Sequence, residues 1–126
     1  SWRSRVVPPS AGPTILAGGF VDGQALYAAQ VAGYDLGYMG TPFLATTEAA
    51  VGDDWKQAVV GATLDDIAST TELTGLPTNV VTHPDGTTSA FAAGHSVVAM
   101  DRVVPAAELI ERTVAEYRAA RAHTVR

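Results

Sequence analysis

Residues 13–46 read PTILAGGFVDGQALYAAQVAGYDLGYMGTPFLAT, and the reading of this stretch decides the fold. Thr14 to Ala17 is a short apolar run that ends in Gly18-Gly19. Such a run suits a strand buried on both faces, as in a parallel sheet. Asp22 is a good N-cap, because its carboxylate can accept from the first free amides of a helix. Ala25, Leu26, Ala28, Ala29, Val31 and Ala32 then fill a helix with small apolar residues, and Gly33 stands where a left-handed terminator is wanted. Tyr34 to Met39 is a second strand, closed by Gly40-Thr41. Strand, glycine turn, helix and strand in this order make one right-handed βαβ unit.

Both glycine turns then lie at the C-terminal edge of the parallel strands. Glycine lets backbone approach a ligand closely, and amides there can face an anion. Thr41-Pro42 reads as N-cap and first position of a short helix through Leu44 or Ala45, whose positive end faces the same spot. In a TIM barrel, strands seven and eight and a short extra helix build a phosphate cup in this order. No Lys or Arg occurs between Arg5 and Lys56, so an anion here meets neutral donors, unlike a P-loop. The plainer reading of both turns is punctuation alone.

Outward from this unit the signals weaken. Residues 1–13, with Pro8, Pro9, Gly12 and Pro13, read as an irregular start. A helix is expected from Asp53 to about Ala62, then extended pieces near 67–72 and 78–82. His83-Pro84-Asp85-Gly86 has turn composition, and 89–94 reads equally as helix or loop. The last element is a helix with Pro105 in its first turn and a stripe of Leu109, Ile110, Val114 and Tyr117.

Composition bounds the function classes. The chain has 126 residues and a formal net charge of -5, with 47% hydrophobic and 17% charged residues. That balance describes a folded chain and argues against a nucleic-acid binder. There is no cysteine, which excludes disulfides, Cys-ligated zinc, iron–sulfur clusters and thiol catalysis. No apolar run approaches the roughly 18 residues of a membrane helix. No signal peptide is visible, so a soluble cytoplasmic protein is the default expectation.

The ordered series of motifs resembles the C-terminal portion of the nitronate monooxygenases, formerly 2-nitropropane dioxygenases. Residues 13–46 resemble the family's apolar strand, Gly-Gly, helix near Asp-Gly, and second strand closing in Met-Gly-Thr. WKQAVVGATLDDIASTTELTGLPTNVV (55–81) resembles its Tyr-Lys helix and Thr-Gly-x-Pro-x-Asn segment. AAGHSVVAMDRVVPAAELIERTVAEY (92–117) resembles its Ala-Gly-Gln segment and closing helix. The likeness runs from Pro13 to about Arg121.

The resemblance implies an α/β fold, the strand 7–8 region and C-terminal helices of a (β/α)8 TIM barrel. The barrel is incomplete as given, since a full one takes about 250 residues. Residues 14–126 would be the C-terminal portion of one FMN-binding domain. The implied site residues for the FMN phosphate are Gly18, Gly19, Tyr38, Met39, Gly40 and Thr41. The implied reaction is oxidation of an alkyl nitronate by dioxygen, giving a carbonyl compound and nitrite. Related FMN barrels, including an enoyl reductase group, share this phosphate half.

Some positions depart from the family pattern. The family's active-site His is expected upstream, so no catalytic residue is assigned in this portion. His95 stands where the family has Gln. It and Ser96 are candidate flavin-site or substrate-site polar groups, or else ordinary loop residues. Pro42 removes one amide donor. His83, His95 and His123 lack metal-ligand spacing, so no metal is expected. Asp53-Asp54 and Asp65-Asp66 diverge as neighbours and read as helix-start acids. Trp55 and Tyr117 read as core.

Two readings of the whole remain. One is a flavin oxidoreductase acting on a small-molecule nitronate and dioxygen, with residues 1–126 alone expected to be inactive. The other is a non-catalytic half-barrel remnant that self-associates as a homo-oligomer and still binds a phosphate-bearing ligand.

Overall fold

The computed structural model describes residues 12–83, 85–89 and 91–124. The irregular reading of residues 1–11, and of Pro84 in its turn, lies outside them. Strand β1 (Ile15–Ala17) leads to helix α1 (Gly23–Ala32) and strand β2 (Leu36–Tyr38). The strands pair in parallel, Ile15 with Leu36 and Ala17 with Tyr38. The helix starts where Asp22 Oδ1 accepts the Ala25 N–H at 2.8 Å. It stops at Gly33, which is left-handed and donates to the carbonyls of Ala29 and Gln30. The βαβ expectation therefore holds, residue for residue at both caps.

Helix α2 (Thr41–Leu44) follows at once, with Gly40 as its N-cap and Thr41 inside it. The cap thus sits one residue earlier than Thr41-Pro42 suggests. Helix α3 (Asp53–Gly61) carries Asp53 and Asp54 in its first turn. A 3-10 turn (Leu64–Asp66) enters an antiparallel hairpin of β3 (Ile67–Thr70) and β4 (Thr78–Val81). Residues 91–94 carry no regular element and run into a second 3-10 helix, His95–Ala99. Helix α4 (Ala106–Thr124) begins just after Pro105.

The core joins Ala45, Val59, Val81, Ala93, Val97 and Met100, with Leu44, Val60, Ala62 and Ile67 packed against it. It lies under the loops that follow β2, between α3, β4 and the second 3-10 helix. Segment 45–48 is stitched to the approach of α4. Thr47 N–H donates to the Val104 carbonyl and Val104 N–H to that of Ala45. Glu48 accepts the Ala106 N–H at 2.8 Å, and the buried Lys56 ammonium donates to the Thr47 carbonyl at 3.0 Å.

Helix α1 packs on α4. The helices meet at Gly23, where an added Cβ would lie 1.9 Å from the Thr113 carbonyl oxygen. Glu116 accepts the Gly23 N–H at 2.9 Å, and the rings of Tyr27 and Tyr117 meet edge to face at 5.7 Å.

Two burial expectations fail. The β1–β2 strands are not buried on both faces: Ile15 and Leu36 are 57% and 56% exposed. Among the described residues no third strand joins this sheet. On α4, Leu109 is buried, whereas Ile110 and Val114 of the same stripe are exposed. The close approach at Gly23 places the Thr113–Tyr117 face against α1 and turns part of the stripe outward. Trp55 is half-buried, its ring against those of His83 and Phe91.

Candidate functional site

Parallel pairing in this register sends Gly18-Gly19 and Met39-Gly40 out at one edge of the sheet. A cavity of about 470 Å³ opens there. One wall is Ala17 to Phe20 together with Tyr38 to Thr41, so all six expected phosphate-site residues line it. The other wall is Leu44, Asn79, Ala92 to Gly94, and Ser96.

The glycine wall has a specific backbone form. Gly18 and Gly19 have φ of 93° and 69°, and a Cβ on either would meet nothing within 4 Å. Two successive left-handed residues keep the chain close to the cavity and leave the space beside it open. The two walls are tied where Gly94 N–H donates to Thr41 Oγ1 at 3.0 Å. No side chain caps the start of α2, so its first amides have no side-chain acceptor.

The lining contains no Asp, Glu, His, Lys or Arg. The resolved pKa shifts lie elsewhere and follow from turn and cap bonds. The Ala106 amide, then the Thr47 hydroxyl, hold Glu48 below its ordinary value. The Thr63 amide and hydroxyl lower Asp66, and the Thr87 hydroxyl and amide lower Asp85. A bond to Glu108 raises Arg102.

The remaining expected residues divide. Ser96 is buried and lines the cavity, whereas His95 beside it is exposed and outside the lining. His83 closes its turn, accepting from Gly86 N–H at its carbonyl, and His123 is in the last turn of α4. Asp66 caps Thr63, which accounts for that acid as structure. Among the described residues no three His, Cys, Asp or Glu could hold a metal. No helix among them is long and apolar enough to cross a membrane. Asn79 is the lining residue that sequence reasoning missed. Its signal was already in the sequence, as the Asn that ends the Thr-Gly-x-Pro-x-Asn segment, although no site role was given to it.

The pattern of the nitronate monooxygenase family matches residues 5–84. A Mycobacterium tuberculosis protein named (3aS,4S,5R,7aS)-5-hydroxy-7a-methyl-1-oxo-octahydro-1H-indene-4-carboxyl-CoA dehydrogenase is 42% identical over 69 residues, 55% of this chain and 19% of that one. Among solved structures, FabK from Thermotoga maritima superposes with a TM-score of 0.78 at 23% identity, covering 91% of this chain and 47% of that one. A point mutant of the same enzyme gives 0.77 at 25%, over 91% and 45%. Nitroalkane oxidase from Streptomyces ansochromogenes gives 0.78 at 24%, over 91% and 42%. The chain thus spans less than half the length of these relatives, and its fold is an incomplete α/β barrel of the TIM type.

Proposed function

Because this chain belongs to the nitronate monooxygenase family, we propose that it carries the cofactor-phosphate portion of an FMN-dependent oxidoreductase that oxidises alkyl nitronates with dioxygen. The observation that supports this most is the cavity at the shared strand edge, lined by Gly18, Gly19, Tyr38, Met39, Gly40 and Thr41. The residues fit a phosphate tail. The open side of two left-handed glycines admits it, and a volume of about 470 Å³ is in the range of a small-molecule site.

With no cation in the lining, neutral amides and hydroxyls hold the tail. Pro42 offers none, which leaves the work to its neighbours. Bound FMN would supply the electron transfer between nitronate and dioxygen, and the chain positions it. The test is to purify the whole gene product, release its chromophore and supply an alkyl nitronate. FMN release, oxygen uptake and nitrite formation are expected; a protein that retains no flavin overturns the reading.

A second reading replaces the nitronate by a CoA thioester. It is favoured by the 42% identity to a relative whose name specifies a carboxyl-CoA substrate. Oxidation or reduction of a CoA thioester without nitrite formation from nitronates would select it.

A further inference from the structure

Among the described residues the buried polar side chains are Thr46, Lys56, Ser89 and Ser96. Three of them are engaged within the chain. Thr46 Oγ1 donates to the Phe43 carbonyl at 2.8 Å, and Lys56 Nζ to that of Thr47 at 3.0 Å. Ser89 Oγ accepts from Val81 N–H at 3.0 Å and donates to the Phe91 carbonyl at 2.6 Å. Ser96 is 5% exposed, and no hydrogen bond among the described residues engages its hydroxyl. Yet no side-chain polar atom sealed from solvent is without a partner among them. The two facts agree if the Ser96 hydroxyl meets the cavity that Ser96 lines. A hydroxyl that opens onto the cavity and that no group of the described chain engages is free to bond what enters there.

Its position says which part of the ligand. Gly94 N–H is bonded to Thr41 Oγ1, and the 3-10 helix that carries Ser96 packs on α2. Ser96 is therefore held beside the glycine wall. An anion there meets no lysine or arginine, and a serine hydroxyl can donate to it without adding charge. We propose that the Ser96 hydroxyl is a ligand of the cofactor phosphate, completing the anion cup beside Thr41. This assignment rests on the flavin reading above.

The test uses the whole gene product stripped of cofactor, titrated with FMN and with riboflavin, which lacks the phosphate. Wild type should prefer FMN. In S96A the FMN affinity should fall by about tenfold to a hundredfold, the range for a lost bond to a charged group. Riboflavin affinity should stay unchanged, which also reports an intact fold. S96T keeps the hydroxyl and should restore the preference. Wild type that binds FMN no better than riboflavin overturns the flavin reading, and this assignment with it. A wild-type preference that S96A leaves intact overturns the assignment alone. So does an equal loss of both affinities, which would place Ser96 against the ring or in the scaffold.

Discussion

Three glycines answer to different constraints, and substitution separates them. Gly19 has positive φ and open space beside it, so a side chain there is strained and also fills the cradle. Gly19→Val should reduce FMN retained on purification to below about a tenth of wild type, since a β-branched residue tolerates that backbone worst. Flavin content unchanged from wild type would count against the cup. Gly23 is constrained by contact instead: a Cβ there would also lie 2.4 Å from Tyr117 N, so backbone on both sides must yield. Gly23→Ala should cost about 3 kcal/mol or more by overpacking the α1–α4 crossing. Gly61, at the end of α3, meets nothing within 4 Å. Gly61→Ala should gain about 0.5 kcal/mol through the unfolded chain. Urea denaturation of the pair gives opposite signs if the crossing is as close as described.

Short polar caps hold the elements in place, and three of them titrate in one direction. Glu48 joins the start of α4 to the 45–48 loop, Asp66 closes a reciprocal box with Thr63, and Asp85 braces the His83–Thr88 turn through Thr87. Each carboxyl is held below its ordinary value, 4.5 for Glu48 and 3.8 for the aspartates. A depressed folded-state pKa gives stability that is complete above the ordinary value and lost as pH falls through the folded one. Melting temperature should therefore drop below about pH 4.5, and the drop should be shallower in E48Q/D66N/D85N. Glu48 and Asp85 are exposed and Asp66 is half-buried, so the difference is small, and identical slopes would discard the caps as its source. The elements bound by such caps were legible in the sequence: Asp22 and Gly33 are read directly, as are the two glycine turns at one strand edge. The burial of the elements was not. A stripe of Leu109, Ile110 and Val114 says which residues are apolar. Which of them faces inward depends on Gly23 letting α1 approach one side of α4, a long-range contact with no local signal. Asn79 stood in a quoted motif, but its place in the cavity depends on the non-periodic 92–94 segment, whose Ala93 N–H bonds its carbonyl, a long-range pairing with no local signal.

At the scale of the molecule, both the β1–β2 sheet and α4 leave apolar side chains exposed. Ile15, Leu36 and Tyr38 on the sheet and Ile110 and Val114 on α4 are all exposed. Between β2 and α4 runs a groove of about 350 Å³ that includes Leu26, Tyr38, Phe43, Ile110 and Val114. Parallel sheets are ordinarily covered on both faces, and contiguous apolar surface of this kind associates in water. A polypeptide limited to residues 1–126 should therefore self-associate at micromolar concentration. Leu36→Lys with Ile110→Glu should shift it toward monomer, because a charge on the sheet and one on α4 oppose burial of either surface. Light scattering after gel filtration reads the mass directly, and an oligomer indifferent to both charges would place the contact elsewhere. The same polypeptide should form no nitrite from an alkyl nitronate. Its cavity lining holds glycine turns, amides and hydroxyls that suit a phosphate, but no His, Asp, Glu, Lys or Arg to act on a substrate at a flavin ring. Turnover by this piece alone would mean that side chains outside the cavity reach the reacting atoms, with exposed His95 the first to replace.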